Sequence, residues 1–171
     1  MRLLRFVCVM VAVACFIQWT ASARADDPWA DFRYLVGEWV GDGSQGSGNF
    51  SHQFELDEHI LVRRNHADLP ASQGRPAVKH DDLVIFYRPE PGKPMKAVFF
   101  DNEGHFIDYD VSVSSDKKVI MMTGAPSQNK PRFRFSYTKQ GDGKVVTKFE
   151  IAPPGQPEKF RTYLEGVCKR K

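Results

Sequence analysis

The sequence has little cysteine, and most of it lies near the N-terminus. Two of the three cysteines, Cys8 and Cys15, fall within the first 25 residues, which leaves Cys168 alone in the remainder. A segment with a single cysteine has no internal disulfide. We therefore expect residues 26–171 to depend on a hydrophobic core, with Cys168 buried and unreactive.

An excess of charge of one sign is also missing once the first 25 residues are set aside. The whole chain has 24 basic and 21 acidic residues, and the surplus corresponds to Arg2, Arg5 and Arg24. Nucleic acids and anionic membrane surfaces both require clustered positive charge. We therefore predict neither as a partner of residues 26–171.

The one long apolar run, Phe6 to Ile17, is too short to span a bilayer comfortably. Two arginines precede it, and a stretch of small residues ending at Ala25 follows it. This order is typical of a secretory signal peptide. Residues 1–25 are therefore predicted to be removed on export, with no integral membrane association of the mature protein.

Cleavage after Ala25 predicts a periplasmic or secreted protein that begins at Asp26. Lipoprotein processing at Cys15 is the alternative, because small or apolar residues precede that cysteine. The remaining residues 26–171 contain no linker, repeat or low-complexity tract, so we predict one domain.

Runs of alternating, β-branched and aromatic residues fill the rest of the chain, separated by clusters of Gly, Pro, Asn and Asp. This pattern predicts a many-stranded antiparallel sheet. Before it, residues 28–36 form the only segment with a helical pattern, with Asp27 as N-cap and Gly37 as its end. The predicted strands lie near 38–43, 48–57, 59–68, 81–88, 95–101, 105–114, 117–124, 131–139, 144–152 and 158–170.

Alternation gives each strand one apolar face. Tyr109 and Val111, for example, share one face of their run, whereas Asp108 and Asp110 share the other. Because one face must be buried, we predict an all-β antiparallel meander barrel of about ten strands with a short N-terminal helix. An outer-membrane barrel requires the reverse polarity, and the sequence therefore argues against it.

Motifs for metal binding and catalysis are missing. The five histidines show no H-x-H or H-E-x-x-H spacing, and no serine lies in a G-x-S-x-G context. The paired carboxylates Asp81/Asp82 and Asp108/Asp110 are predicted to be surface groups rather than an acid/base pair, since neighbours in a strand point to opposite faces. We therefore predict no metal, no catalytic residue and no intrinsic cofactor.

An aromatic inward face that carries a few hydroxyl and imidazole groups is typical of a pocket for a small hydrophobic ligand. We predict a monomer that binds such a molecule without catalysis. A filled, ligand-free barrel that serves as an interaction module stays open, because small barrels are often filled by side chains. The candidate ligand-binding residues are His52, Phe54, His105, Tyr109, Phe135, Tyr137, Phe149 and Thr162.

Two segments carry a resemblance to known families. The run Leu35-Val36-Gly37-Glu38-Trp39-Val40-Gly41-Asp42-Gly43 contains G-x-W after a short helix and resembles the opening of lipocalins and, more closely, of nitrobindin-like haem-binding barrels. The last strand, Tyr163 to Arg170, is similar to the last nitrobindin strand. The resemblance covers about a third of the domain. The resemblance implies a lipocalin-like barrel in which Gly37 allows a sharp turn and Trp39 plugs the closed end.

The nitrobindin resemblance also implies haem and a reaction with reactive nitrogen species. Tyr163 lies where these proteins have the histidine that ligates the haem iron, and tyrosine can ligate ferric haem. Strand alternation places Tyr163 on the outer face unless a bulge re-aims it. Haem therefore remains an alternative to a simple hydrophobic ligand.

Overall fold

The computed structural model of the chain describes residues 27–43, 46–71, 74 and 76–171. The predicted signal peptide, including Cys15, lies outside these residues, so its cleavage stays a prediction.

Ten antiparallel strands form a closed barrel in which each strand pairs with its neighbours in sequence. This confirms the predicted all-β meander. A single 3-10 turn, Arg33–Leu35, precedes the first strand. The strands are β1 (Gly37–Gly43), β2 (Gly46–Glu55), β3 (Ile60–Leu69), β4 (Val78–Tyr87), β5 (Lys96–Asp101), β6 (Phe106–Val113), β7 (Val119–Gly124), β8 (Arg132–Lys139), β9 (Lys144–Ala152) and β10 (Arg161–Arg170).

The barrel closes where the first strand meets the last. β1 and β10 share three residue pairs: Trp39 with Arg170, Val40 with Lys169, and Gly41 with Cys168. The guanidinium of Arg170 donates to the carbonyl oxygens of Tyr34 and Val36, so it fixes the entry of the chain to the end of β10. The closing seam is therefore short but reinforced by side chains.

One end of the barrel is plugged by the segment that precedes β1. Trp29, Phe32 and Leu35 are buried there, and Trp29 packs edge-on against Phe32 with 5.7 Å between ring centroids. The indole Nε1 of Trp29 donates to the carbonyl oxygen of Glu58, in the hairpin between β2 and β3, over 2.7 Å. We call this the closed end.

The G-x-W sequence performs the predicted structural role. Trp39 is buried, and its Nε1 donates to the carbonyl oxygen of Leu35 over 2.7 Å. Gly37 has a φ of 117°, a conformation that L side chains rarely adopt, which explains the glycine at this sharp turn. Cys168, at 5 % exposure, is buried as predicted.

Candidate functional site

The opposite end of the barrel differs in the burial of its side chains. Its inward side chains are apolar but only half-buried, so solvent reaches them from the end of the barrel. We call this end the mouth. It is lined by Phe99, Ile107, Phe133, Phe135 and Phe149.

Aromatic rings of β8 and β9 form one wall of the mouth. Phe133 and Phe149 are stacked with 5.8 Å between centroids, and Phe135 lies 6.5 Å from Phe149. These residues alternate along their strands with charged outward residues such as Arg134 and Glu150, which pair bidentately. Period-two alternation therefore creates the apolar wall, as the sequence predicts.

A second wall, on β10, β1 and β2, has glycine at inward positions. Gly41 pairs with Gly48 across the strands, and Gly166 occupies an inward position on β10. A Cβ added at Gly48 would lie 2.9 Å from the carbonyl oxygen of His66, which is too close for any side chain. These three positions therefore carry no side chain into the interior.

A buried ion pair lies below the mouth. The side chains of Arg63 on β3 and Asp82 on β4 are 7 % and 5 % exposed, and Arg63 Nη1 donates to Asp82 Oδ1. Asn65 Nδ2 donates to the other carboxylate oxygen over 2.9 Å. The pair is fully desolvated, and removing either partner would leave a buried charge uncompensated.

The network continues outward through His80. Its Nε2 lies 3.3 Å from Asp82 Oδ2, and its Nδ1 lies 3.1 Å from Glu103 Oε1. The hydrogen bond to Asp82, together with the one to Glu103, raises the pKa of His80 to about 9. His80 is therefore a cation at neutral pH and links the buried pair to the rim.

The turn between β5 and β6 places Glu103 beside His80. The carboxylate of Asp101 accepts hydrogen bonds from the backbone N–H groups of Glu103 and His105 over 3.0 and 2.8 Å, and from His105 Nδ1 over 2.7 Å. Asn102 joins the turn to β4, because its Nδ2 donates to the carbonyl oxygen of Lys79. Asp101 therefore organises this turn.

Three side chains at the ion pair, one of them Arg63 itself, have polar atoms without a hydrogen-bond partner. They are both ring nitrogens of His52, the hydroxyl of Tyr137 and Nε of Arg63. Among the described residues six buried atoms lack a partner, and these four belong to one cluster. Because buried polar groups are nearly always satisfied, this concentration makes the cluster a candidate site. We call His52, Arg63, Asp82 and Tyr137 the polar floor.

Aromatic contacts hold the polar floor together. The rings of His52 and Tyr137 are 5.3 Å apart, and Cζ of Arg63 lies 5.2 Å from the Phe50 centroid and 5.5 Å from that of Phe135. Phe135 also packs edge-on against Tyr137 at 4.9 Å. Phe135 therefore separates the floor from the mouth and contacts both.

Burial and the Arg63 charge determine the protonation of the floor. Burial, and to a lesser degree Arg63, hold the pKa of His52 well below its usual value, so the ring is neutral. Burial raises the pKa of Tyr137, whereas Arg63 opposes that rise more strongly than Asp82 adds to it. Both groups are uncharged at neutral pH. The charge of Arg63 affects the pKa of each group more than the charge of Asp82 does.

The predicted ligand-binding residues divide between the two ends. His52, Tyr137 and Tyr109 are buried in the middle of the barrel, and Phe135 and Phe149 line the mouth. Phe54 instead contacts Trp29 at the closed end, with 5.4 Å between centroids.

The rim residues differ from simple alternation. His105 precedes β6, and its side chain is 60 % exposed and bound to Asp101. A bulge in β10 between Thr162 and Leu164 places Thr162 in register with the outward Glu150. The hydroxyl of Thr162 is therefore exposed and does not line the interior, contrary to the alternation argument.

The same bulge changes the orientation of Tyr163. Its ring packs edge-on against the mouth residue Phe149 at 6.0 Å, although the residue remains 54 % exposed. The sequence predicts Tyr163 on the outer face unless a bulge re-aims it, and that bulge is present.

Sequence reasoning missed Arg63, Asn65 and Asp82. The interpretation of Asp81 and Asp82 as surface groups holds for Asp81, which binds His66 on the outside, and is wrong for Asp82. The signal was available: Arg63 alternates with Leu61 on the inward face of β3, a position where charge is rare without a partner.

A haem iron finds few free donors among the described residues. His80 has both ring nitrogens engaged by carboxylates, as has His66, and His105 Nδ1 is engaged by Asp101. His52 is enclosed by aromatic rings, and Tyr163 lies at the exposed rim. No group of His, Cys, Asp and Glu among them could hold a metal ion.

A groove of about 390 Å³ on the barrel wall at β1, β2 and β3 is a competing cleft. Charged groups including Glu38, His66, Asp68 and Lys171 line it. This lining suits an apolar molecule less well than the aromatic mouth does.

These features define a closed ten-stranded antiparallel β-barrel, consistent with a lipocalin-like barrel, that is plugged at one end. No family model matches the chain, and no curated protein matches it. Within the described residues, no helix is both long and apolar enough to cross a membrane.

Proposed function

We propose that the barrel binds a small hydrophobic molecule at its mouth and performs no chemistry on it. The observation that carries this proposal is the half-buried aromatic lining of the mouth, in contrast to the filled closed end. Exposed inward rings lose contact with water when an apolar ligand covers them, which stabilises the complex by about 25 cal/mol per Å².

Titration with the neutral fluorescent probe N-phenyl-1-naphthylamine tests the proposal. We expect saturable one-to-one binding with a blue-shifted emission. Phe149→Ala should weaken binding several-fold because it removes a ring from the mouth. Phe106→Ala is the matched control, since that ring is 57 % exposed and lies outside the barrel. Absence of saturable binding would leave a filled barrel that acts as an interaction module.

Haem is the second candidate, and the bulge that turns Tyr163 toward Phe149 is the observation in its favour. Titration with haemin distinguishes the two. We expect weak, non-stoichiometric binding, because the other candidate donors are engaged or enclosed. A sharp one-to-one Soret band that is lost in Tyr163→Phe would overturn the proposal of a simple hydrophobic ligand.

We further propose that the protein is exported as a monomer, with cleavage after Ala25. The charge and small-residue order before Asp26 supports this. Intact-mass analysis of the protein from its native host should show a chain that begins at Asp26 without lipid. A lipid-modified Cys15 would show lipoprotein processing instead.

A further inference from the structure

The polar floor lies deeper than a purely apolar ligand requires. It combines a buried guanidinium and a buried phenol, both in contact with the mouth residue Phe135, with a buried imidazole that packs against the phenol. A core without function would place apolar side chains here, because each unsatisfied buried polar group destabilises the fold. The cluster therefore needs a partner that the chain itself does not supply.

We propose that this partner is the carboxylate of an apolar monocarboxylic acid whose chain occupies the mouth. The inference rests on the proposed function and names the class of ligand for the same site. Arg63 acts as counter-ion through Nε, while Nη1 remains bound to Asp82. Tyr137 and His52 donate hydrogen bonds to the carboxylate oxygens.

The number and charge of the unpartnered donors favour an anion over other head groups. Arg63 Nε–H and the Tyr137 hydroxyl are free donors, and the neutral His52 ring supplies a third N–H. A ligand ammonium would meet the Arg63 charge directly. An alcohol would accept from one or two donors and leave the guanidinium Nε without its charged partner, and hydrogen bonds between charged groups are the stronger ones.

Phe135 controls access to the floor. Its ring is half-buried at the mouth and touches both Arg63 and Tyr137. A rotation of this ring opens the floor to the ligand head group, while the chain of the ligand lies against Phe133 and Phe149. The orphaned atoms then gain partners only in the complex.

The test compares dodecanoate with 1-dodecanol in displacement of N-phenyl-1-naphthylamine, below the concentrations at which either aggregates. We expect the parent protein to prefer the carboxylate by about tenfold or more. Tyr137→Phe should reduce this preference by several-fold, because it removes one donor at nearly constant volume. Tyr87→Phe is the matched control: it removes a tyrosine hydroxyl from the last residue of β4, which pairs with Ile60 and Lys96 at the closed end.

A second variant isolates the charge. Arg63→Met alone leaves Asp82 buried without its partner and could unfold the protein, so Arg63→Met is combined with Asp82→Asn. We expect the double variant to lose the preference for dodecanoate over 1-dodecanol.

The outcomes separate this inference from the proposed function. If the neutral probe does not bind the parent protein, the hydrophobic mouth itself is wrong. If the probe binds but both dodecyl compounds displace it equally, the carboxylate site is wrong and the floor holds ordered water only. A preference that survives in Tyr137→Phe and in the double variant places the carboxylate elsewhere and also overturns the inference.

Discussion

The two ends of this barrel are built from the same strands but are filled in opposite ways. At the closed end Trp29, Phe32, Leu35 and Trp39 are buried, and the two indole N–H groups have backbone acceptors. At the mouth the inward rings are half-exposed, and below them lie polar atoms without partners. The closed end has the properties expected of a structural core, whereas the mouth has those expected of a binding site.

The largest expected effect concerns the plug. Trp39→Ala should lower the free energy of unfolding by about 3–5 kcal/mol, because it leaves a large cavity and frees the carbonyl oxygen of Leu35. Urea denaturation measures the loss. Phe133→Ala, at the half-buried mouth, is the comparison and should cost clearly less. Equal losses would mean that the two ends do not differ in packing.

Breaking the buried ion pair is expected to destabilise the protein almost as strongly. Arg63→Met is expected to destabilise the protein by about 3 kcal/mol, since it strands the Asp82 carboxylate in the interior. Arg134→Met breaks a comparable bidentate pair with Glu150 on the outer face and should cost about 1 kcal/mol or less. Chemical denaturation of both variants would contradict the argument if Arg134→Met were the more damaging.

Substitutions in the second wall, formed by β10, β1 and β2 with glycine at inward positions, are expected to have a smaller effect on stability. Gly48→Ala is expected to cost about 1–3 kcal/mol, because the added Cβ would lie 2.9 Å from a backbone oxygen that cannot move freely. Gly166→Ala, whose nearest contact would be the Thr147 hydroxyl at 4.0 Å, should be tolerated much better. Thermal unfolding of the two variants compares them directly, and a reversed order would show that β2 yields easily.

The smallest effect is a pH dependence at the rim. The pKa of His80 is about 9 in the folded protein, mainly through the hydrogen bond to Asp82, and 6.5 is its ordinary value. The stabilisation is therefore complete below pH 6.5 and is lost as pH rises through 9. We expect about 1 kcal/mol, allowing for partial exposure to solvent.

His80→Gln provides the control for this pH dependence. Subtracting its unfolding free energy from that of the parent, at each pH from 6 to 10, isolates the His80 contribution from that of His66, whose pKa is also raised. If the difference in unfolding free energy between parent and variant stays constant across this range, the pKa of His80 does not differ between the folded and the unfolded protein.

Strand positions could be predicted from the sequence because each strand buries one face. Alternation along segments such as Ile107 to Val111 reports that burial directly, and all ten predicted strands occur in the barrel. The role of Trp39 was predicted from another source, the resemblance of the G-x-W segment to the opening of lipocalins.

His52 and Tyr137 were predicted as inward residues, but the ion pair that completes the polar floor was not, because its residues meet only across strands. Arg63 and Asp82 lie 19 residues apart, and nothing local shows that an inward arginine has an inward aspartate beside it. The bulge at Tyr163 was also beyond the pattern, because one extra residue in β10 reverses the face of Thr162 without any change in composition. Chemistry that depends on non-local pairs is lost when strands are considered one at a time.

The short seam between β1 and β10 has a consequence for biosynthesis. β1 can pair with β2 early in synthesis. Its residues 39–41 pair with β10 only once residues 168–170 are available. Until then β1 presents an unpaired edge, and contacts between such distant parts of a chain form slowly. Completion of the barrel is therefore a late event, which leaves the nascent polypeptide with an open sheet edge until residues 168–170 are in place.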